Sequence, residues 1–264
     1  MKTANTTIYD KEDSFDKNNF EFLFEMEQRH FWHVGRREII YDLLQQAYNN
    51  RLSEISMIEI GCGNGSVLQY LKNKGVNIEG GDLFFEALQF CQRRVNVPLY
   101  QLNVLNMPFA DERYDVVGLF DVIEHIVDDD RVLKEIHRIC KPGGRIILTV
   151  PANKRLWSYF DVISYHKRRY SKKELYQKIV SAGFVVEKIS FFVFFLFPVL
   201  FAYRILKNRI FESSNDEELS SNAEFSTIPI INEIFLGLLR FEKLLIKSLS
   251  LPFGTSLVAI ARKV

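Results

Sequence analysis

A chain of 264 residues with 34 Lys and Arg against 33 Asp and Glu carries a formal charge of +1, which argues against a polyanion such as nucleic acid as its partner. With 47% hydrophobic and 25% charged residues it has the makeup of a globular domain, and no run reaches the roughly 18 apolar residues of a membrane-spanning helix. Three scattered cysteines, Cys62, Cys91 and Cys140, give neither a disulfide framework nor a metal spacing; with no cationic-then-apolar leader, they point to a reducing, cytoplasmic setting.

Residues 1–19 are polar, rich in Asn, Asp, Lys and Thr, and read as a flexible arm ahead of a single domain over 20–264. From Phe20 the pattern turns helical and aromatic, and His30-Phe31-Trp32-His33-Val34-Gly35-Arg36-Arg37 leads into a helix with Ile39, Ile40, Leu43, Leu44 and Ala47 on one face. Residues 20–50 are thus a helical layer on a sheet, or a lid over a ligand in which Trp32 covers an organic group and Arg36 or Arg37 pairs with a carboxylate. His30 and His33 have no third ligand nearby, so no metal is expected.

Met57-Ile58-Glu59-Ile60 then breaks into Gly61-Cys62-Gly63-Asn64-Gly65-Ser66, and Val67-Leu68-Gln69-Tyr70-Leu71 returns to helical spacing. Strand, glycine loop and helix are implied, the loop free to turn sharply and to approach a ligand. Two ligand classes use such loops, dinucleotides and S-adenosylmethionine (SAM). The dinucleotide fingerprint is GxGxxG, whereas this loop is GxGxG with Ser at 66. Val76–Gly81 is a second strand ending at Asp82, 21 positions after Gly61, where a βαβ unit brings an acid beside the ribose of a bound nucleoside. The alternative for Asp82 is a cap on the next helix.

A third strand spans 97–102 and runs into Asn103-Val104. Tyr114–Phe120 is nearly continuous in apolar residues, as a buried parallel strand is. Asp121-Val122-Ile123-Glu124-His125 follows, then a helix from Asp130 to Cys140, the turn Pro142-Gly143-Gly144 and a fifth strand over 145–150. Glu59-x-Gly61-x-Gly63-x-Gly65, with the block "MPF…YDVVGLFDVIEHI…LKEIHRICKPGGRIILTVP", resembles the class I SAM-dependent methyltransferases, including those of quinone biosynthesis, over about residues 58–151. The resemblance implies a Rossmann-like, doubly wound α/β sheet of seven strands in the order 3-2-1-4-5-7-6, the seventh antiparallel, with N-terminal helices. It implies a SAM-binding core over 55–190 with contacts from Glu59, Gly61, Cys62, Gly63, Gly65, Asp82, Leu83, Asn103, Val104, Phe120 and Asp121. Gly61 and Gly63 pack against the amino-acid part, and Asp82 holds the ribose. Relatives often have Asp where this chain has Asn103; its amide oxygen still suits the adenine amino group. Asp121 either touches the cofactor or orders its loop.

Downstream, His166-Lys167-Arg168-Arg169-Tyr170-Ser171-Lys172-Lys173 holds five Lys or Arg in eight residues, either a solvated helix entry or a site for an anionic acceptor through His166, Arg168, Arg169 and Tyr170. Ser171 with Glu174 has capping-box spacing, and Gly183 is a helix stop. Val185–Ile189 is a sixth strand. Phe191 to Tyr203 is uncharged and holds six Phe, with Arg204, Lys207 and Arg209 behind it. This segment suits a membrane interface through 191–210, the wall of an apolar pocket, or core. Residues 212–227 read as a flexible loop, 230–249 as an amphipathic helix, and 255–264 as the last strand, so 191–254 is an apolar helical insertion between strands six and seven.

The function implied is methyl transfer, O-directed, to a small, lipid-linked or glycan-type acceptor, with His125 as base and Glu124 the second choice, since both lie just past the fourth strand's carboxyl end. The competing readings are a non-catalytic partner subunit that keeps the fold and a nicotinamide oxidoreductase, the latter disfavoured by Ser66.

Overall fold

The structure, a computed structural model, describes residues 2–3, 17–202 and 228–264. The arm expected over 1–19 falls mainly on 4–16, and the loop expected over 212–227, with Arg204, Lys207 and Arg209, on 203–227; both lie outside the described residues.

Seven strands form the body of one sheet: β1 (Ser56–Ile60), β2 (Asn77–Asp82), β3 (Leu99–Gln101), β4 (Tyr114–Phe120), β5 (Cys140–Pro151), β6 (Phe184–Phe192) and β7 (Ser256–Lys263). Their order is β3-β2-β1-β4-β5-β7-β6, with Lys2–Thr3 added in parallel along the outer edge of β3. β7 runs antiparallel to both β5 and β6, and every other pair is parallel. This is the expected seven-strand order; the added strand comes from the stretch read as loose arm. β6 also runs further than expected, through Phe192 opposite Ser256, so the insertion starts at 193.

Helices flank the sheet: α1 (Lys17–Met26), α2 (Phe31–Ala47), α3 (Ser66–Asn73), α4 (Phe85–Arg94), α5 (Asp129–Ile139), α6 (Tyr159–Ile163), α7 (Lys172–Ser181) and α8 (Pro229–Ser248), with a further helical stretch over 197–202. Strand alternation divides the core in two. Met57, Val116, Phe120, Ile147, Val258 and Ile260 pack with α2, α3, α4 and α8 on one face. Ile58, Ile60, Val117, Leu119, Ile146 and Leu148 pack with α5 and α7 on the other. Glu59 alternates with Ile58 and Ile60, which turns it toward the α2 face. Gly183, at φ +96°, ends α7, and Ser171 Oγ accepts the Glu174 N–H at its start.

The N-terminal helices and the insertion pack against one another. A Cβ on Gly35 would stand 2.4 Å from Leu239 Cδ2, so glycine lets α8 close on α2. Asn232 Oδ1 accepts the Phe31 N–H (2.8 Å), and its Nδ2 donates to the Arg29 carbonyl (2.9 Å). Arg240 and Lys243 donate to Glu38, and Lys247 pairs with Asp42 at 3.0 Å. The described part of the aromatic run is partly core and partly exposed. Phe192, Val193 and Leu196 are core, while Val199 is exposed, as is Phe195, whose ring lies 5.7 Å from that of Phe241 in α8.

Candidate active site

The glycine loop leaves the carboxyl end of β1 with all three glycines at positive φ: +71° at Gly61, +50° at Gly63 and +77° at Gly65. Their reasons differ. A Cβ on Gly61 would stand 2.4 Å from Val122 Cγ2, and one on Gly65 would stand 2.5 Å from Cys91 Sγ. Gly63 has nothing within 4 Å of that position, so it faces open space. Asp82, at the carboxyl end of β2, closes the cradle. Its Oδ2 accepts the Gly63 N–H (2.8 Å) and its Oδ1 the Phe84 N–H (2.9 Å). Asp82 therefore ties the glycine loop to the turn that leads into α4, and a carboxylate retains lone pairs for further donors. Burial raises its pKa against the pull of these amides. Glu59 is buried more deeply, and burial pushes its pKa well up; its Oε2 has no hydrogen-bond partner.

Around this cradle, Cys62 is buried beside Cys91, whose thiol raises the Cys62 pKa along with burial. The Leu83 carbonyl accepts from Gln101 Nε2 (3.2 Å), and Val104 is half-buried against the α5 side. Asn103 departs from expectation. Its Oδ1, the atom assigned to adenine, accepts the Leu105 N–H at 2.9 Å in a local turn, so an adenine amino group has to share it. Phe120 is core at the end of β4.

Asp121 stands at φ +59° just past β4. It pairs with Arg36 of α2, and its Oδ2 also accepts from Thr149 Oγ1 of β5 at 2.8 Å. The Arg36 guanidinium lies 4.5 Å from the centre of the Trp32 ring. Arg36, expected to bind a substrate carboxylate, is thus engaged with a carboxylate of the protein itself, while Arg37 lies over the Tyr70 ring and reaches Ser66 Oγ at 3.5 Å. His30 caps α2, accepting the Trp32 N–H, and burial lowers its pKa to about 4.

Glu124 and His125 occupy a single-turn helix, Ile123–His125. Glu124 is fully buried; neither carboxylate oxygen has a hydrogen-bond partner, and burial with the nearby Asp121 pushes its pKa well up. His125 is neutral near pH 7, because burial and the His166 ring lower its pKa to about 4. Those two rings are 4.8 Å apart. The Lys167 N–H donates to the Glu124 carbonyl (2.8 Å), holding the two segments together.

The rest of the basic run does not form an open anion site. Arg169 is buried; its Nε donates to Asp161 (2.7 Å) and its Nη1 to the Ala152 carbonyl. Arg168 pairs with Asp129 (2.9 Å), and the buried Tyr170 hydroxyl donates to the same carboxylate (2.7 Å). These three anchor the segment to acids that the linear pattern did not pair with them. Thr149 and Asp161 are residues of the site that the sequence reading missed. Asp161 lies in a short amphipathic stretch, and its Ser158-x-x-Asp161 spacing, a capping box here, was the one available signal.

Residues 58–148 match the family described as methyltransferase domain. The chain is similar to the ubiquinone biosynthesis O-methyltransferase of Serratia proteamaculans, 29% identical over 39% of this chain and 45% of that protein. It is likewise similar to phthiotriol/phenolphthiotriol dimycocerosates methyltransferase 1 of Mycobacterium ulcerans, 29% identical over 49% and 50%. Among solved structures, a SAM-dependent methyltransferase from Archaeoglobus fulgidus superposes with a TM-score of 0.51, covering 86% of this chain and 94% of that one at 18% identity. The matched region spans between 45% and 62% of the length of the first curated relatives.

Proposed function

Because this chain is a class I SAM-dependent methyltransferase in fold and motif, we propose that it binds SAM in the Gly63–Asp82 cradle and transfers the methyl group to an oxygen of a small, lipid-linked or glycan-type acceptor. The observation that carries the cofactor assignment is the open space at Gly63, whose N–H is held by Asp82. The groups present fit SAM. Asp82 has acceptor capacity for the ribose hydroxyls, Gly63 leaves room for the amino-acid end, and the buried Glu59 Oε2 has no partner within the protein.

The bound cofactor supplies a methyl carbon already made electrophilic by its sulfonium. What the protein adds is alignment, which contributes up to about 7–11 kcal/mol when nucleophile and methyl are held in line. Arg36 on Asp121 fastens α2 across the carboxyl ends of β4 and β5, on the side where an open α/β sheet places its ligands. The proton of a hydroxyl acceptor is assigned to His125 or Glu124, which lie just past the carboxyl end of β4. His125 is in the neutral state a base requires, and Glu124, which burial holds toward its protonated form, is the second choice.

Exposed Ile230, Ile234, Phe241 and Leu244 recur at helical spacing along α8, with Phe195 beside them. This stripe supports a lipid-linked acceptor and peripheral contact with a membrane surface, at which the protein works from the cytoplasmic side. No helix among the described residues is long and apolar enough to cross a membrane.

The deciding experiment is calorimetric titration of SAM and S-adenosylhomocysteine into wild type and Asp82→Ala. Binding that is lost in the variant is the expected result. Wild-type protein that binds neither compound at micromolar concentration removes the proposal.

A further inference from the structure

We propose that His166, oriented by Asp161, completes with Glu124 and His125 a binding site for one divalent transition-metal ion at the acceptor end of the active site. The inference rests on the acceptor site assigned above. One ligand atom from each of the three residues lies within 4.8 Å of the other two. Donors around a common ion, each at about 2.0–2.2 Å, stand at most about 4.2 Å apart, so a side-chain adjustment of the order of 1 Å closes the set.

Three observations set this group apart from a chance cluster. The first is Glu124. A fully buried carboxyl with no partner on either oxygen is costly, and a cation would satisfy both oxygens. The second is the support behind His166. His166 Nδ1 bonds Asp161 Oδ1 at 2.8 Å, and Asp161 is itself fixed by Arg169 Nε and the Ser158 N–H. That arrangement leaves the His166 Nε2 lone pair for a ligand, the carboxylate–histidine pattern found behind metal-bound imidazoles. The His125 ring packs against the His166 ring, 4.8 Å between centres. The third is backbone rigidity: the Lys167 N–H donates to the Glu124 carbonyl and the His166 N–H to the Asp161 carbonyl.

Two imidazoles and one carboxylate suit zinc, manganese, iron or cobalt better than magnesium or calcium, which favour all-oxygen sets. Three protein donors leave coordination positions open, as in sites that bind a substrate oxygen. An acceptor hydroxyl seated there loses its proton to water more readily. Its oxygen then forms the new bond to the methyl carbon as the carbon–sulfur bond breaks and the sulfonium becomes a neutral thioether. In the loaded protein His125 is a ligand, and it serves as direct base only when the ion is absent.

The test uses tag-free full-length protein, stripped with a chelator and titrated with Zn2+ by calorimetry, with S-adenosylhomocysteine binding measured on the same samples. Wild type is expected to take up one equivalent. Asp161→Asn is expected to weaken zinc about 10–100-fold, the usual consequence of removing the group behind an imidazole ligand. His166→Ala is expected to abolish the site, with S-adenosylhomocysteine affinity unchanged. If a variant melts cooperatively with wild-type S-adenosylhomocysteine affinity yet binds zinc as wild type does, the proposal is overturned. His166→Gln, which keeps a polar group for Asp161, gives the same reading if His166→Ala does not fold. Wild type that binds S-adenosylhomocysteine and no zinc overturns the metal site alone. Zinc uptake without S-adenosylhomocysteine binding overturns the cofactor assignment alone.

Discussion

Placing alanine at Gly63 and at Gly65 separates the ligand-facing part of the loop from its packed part. Both glycines have positive φ, +50° and +77°, where an L-residue costs about 1–2 kcal/mol. At Gly63 nothing lies within 4 Å of the new methyl, so this strain is the whole cost to the free protein. For a chain of this size it lowers the melting temperature by roughly 2–8 °C, at about 2–4 °C per kcal/mol. At Gly65 the new Cβ would stand 2.5 Å from Cys91 Sγ and 3.4 Å from the Cys91 Cα, and overpacking adds about 1–3 kcal/mol. The sum, roughly 2–5 kcal/mol, approaches the whole stability of a marginal domain. The binding effects rank the other way. The Gly63 methyl intrudes where the cofactor is assigned, and a tenfold loss of S-adenosylhomocysteine affinity, about 1.4 kcal/mol, is the minimum expected. Thermal melts without ligand and calorimetry with S-adenosylhomocysteine measure both quantities. Gly63→Ala that binds the ligand with wild-type affinity refutes the assignment of the open space over residue 63.

Arg36→Met removes the partner of the largely buried Asp121 and is expected to cost about 3–5 kcal/mol in urea unfolding; a loss under about 1 kcal/mol would mean the pair is solvated in solution. Glu38 gives a pH signature. Burial pushes its carboxyl up, but hydrogen bonds from Arg240 and Lys243 outweigh this and hold it below 4.5. The folded-state value is the lower one, so this pairing adds stability at neutral pH and loses it as pH falls below about 4.5. Glu38→Gln is expected to flatten that acid limb, and an unchanged stability–pH curve contradicts it. Finally, Phe241→Ser with Leu244→Ser, both on the exposed side of α8, is expected to abolish flotation with anionic lipid vesicles while leaving S-adenosylhomocysteine binding intact. Flotation that persists in the double variant removes α8 as the membrane-facing surface.

The fold was legible because its signals are local. Tyr114–Phe120 announces a strand buried on both faces, the glycines mark backbone with positive φ, and the spacing from Gly61 to Asp82 is that of one βαβ unit. The site was legible only where a residue lies at a strand's carboxyl end. The basic run misled because Arg168 and Arg169 look the same whether they face water or a buried acid. Their partners, Asp129 and Asp161, are chosen by the path of the backbone between elements. His125 and His166 are adjacent for the same reason, although 41 positions separate them. Asn103 illustrates the opposite case, in which a local turn to Leu105 competes with the role its position implies. Nor does helical periodicity in α8 say which apolar residues meet α2 and which stay outside; Gly35 opposite Leu239 settles that.

The interior place of β7 sets the order in which the chain can assemble. β6 touches the sheet only through β7, and β5 has β7 as its partner on that side. Until residues 256–263 emerge from the ribosome, Phe184–Phe192 has no strand to join, and the flank of β5 stays open. The contacts between α2 and α8, about 200 positions apart, wait equally long. The half that carries the glycine loop, β1 to β4, contains its own pairings and can form early. During synthesis the Phe-rich stretch after β6 is therefore exposed beside an unfinished sheet edge, the combination most prone to misassembly. Changes that slow completion at the carboxyl-terminal strand should reduce the yield of folded protein more than their effect on the final stability predicts.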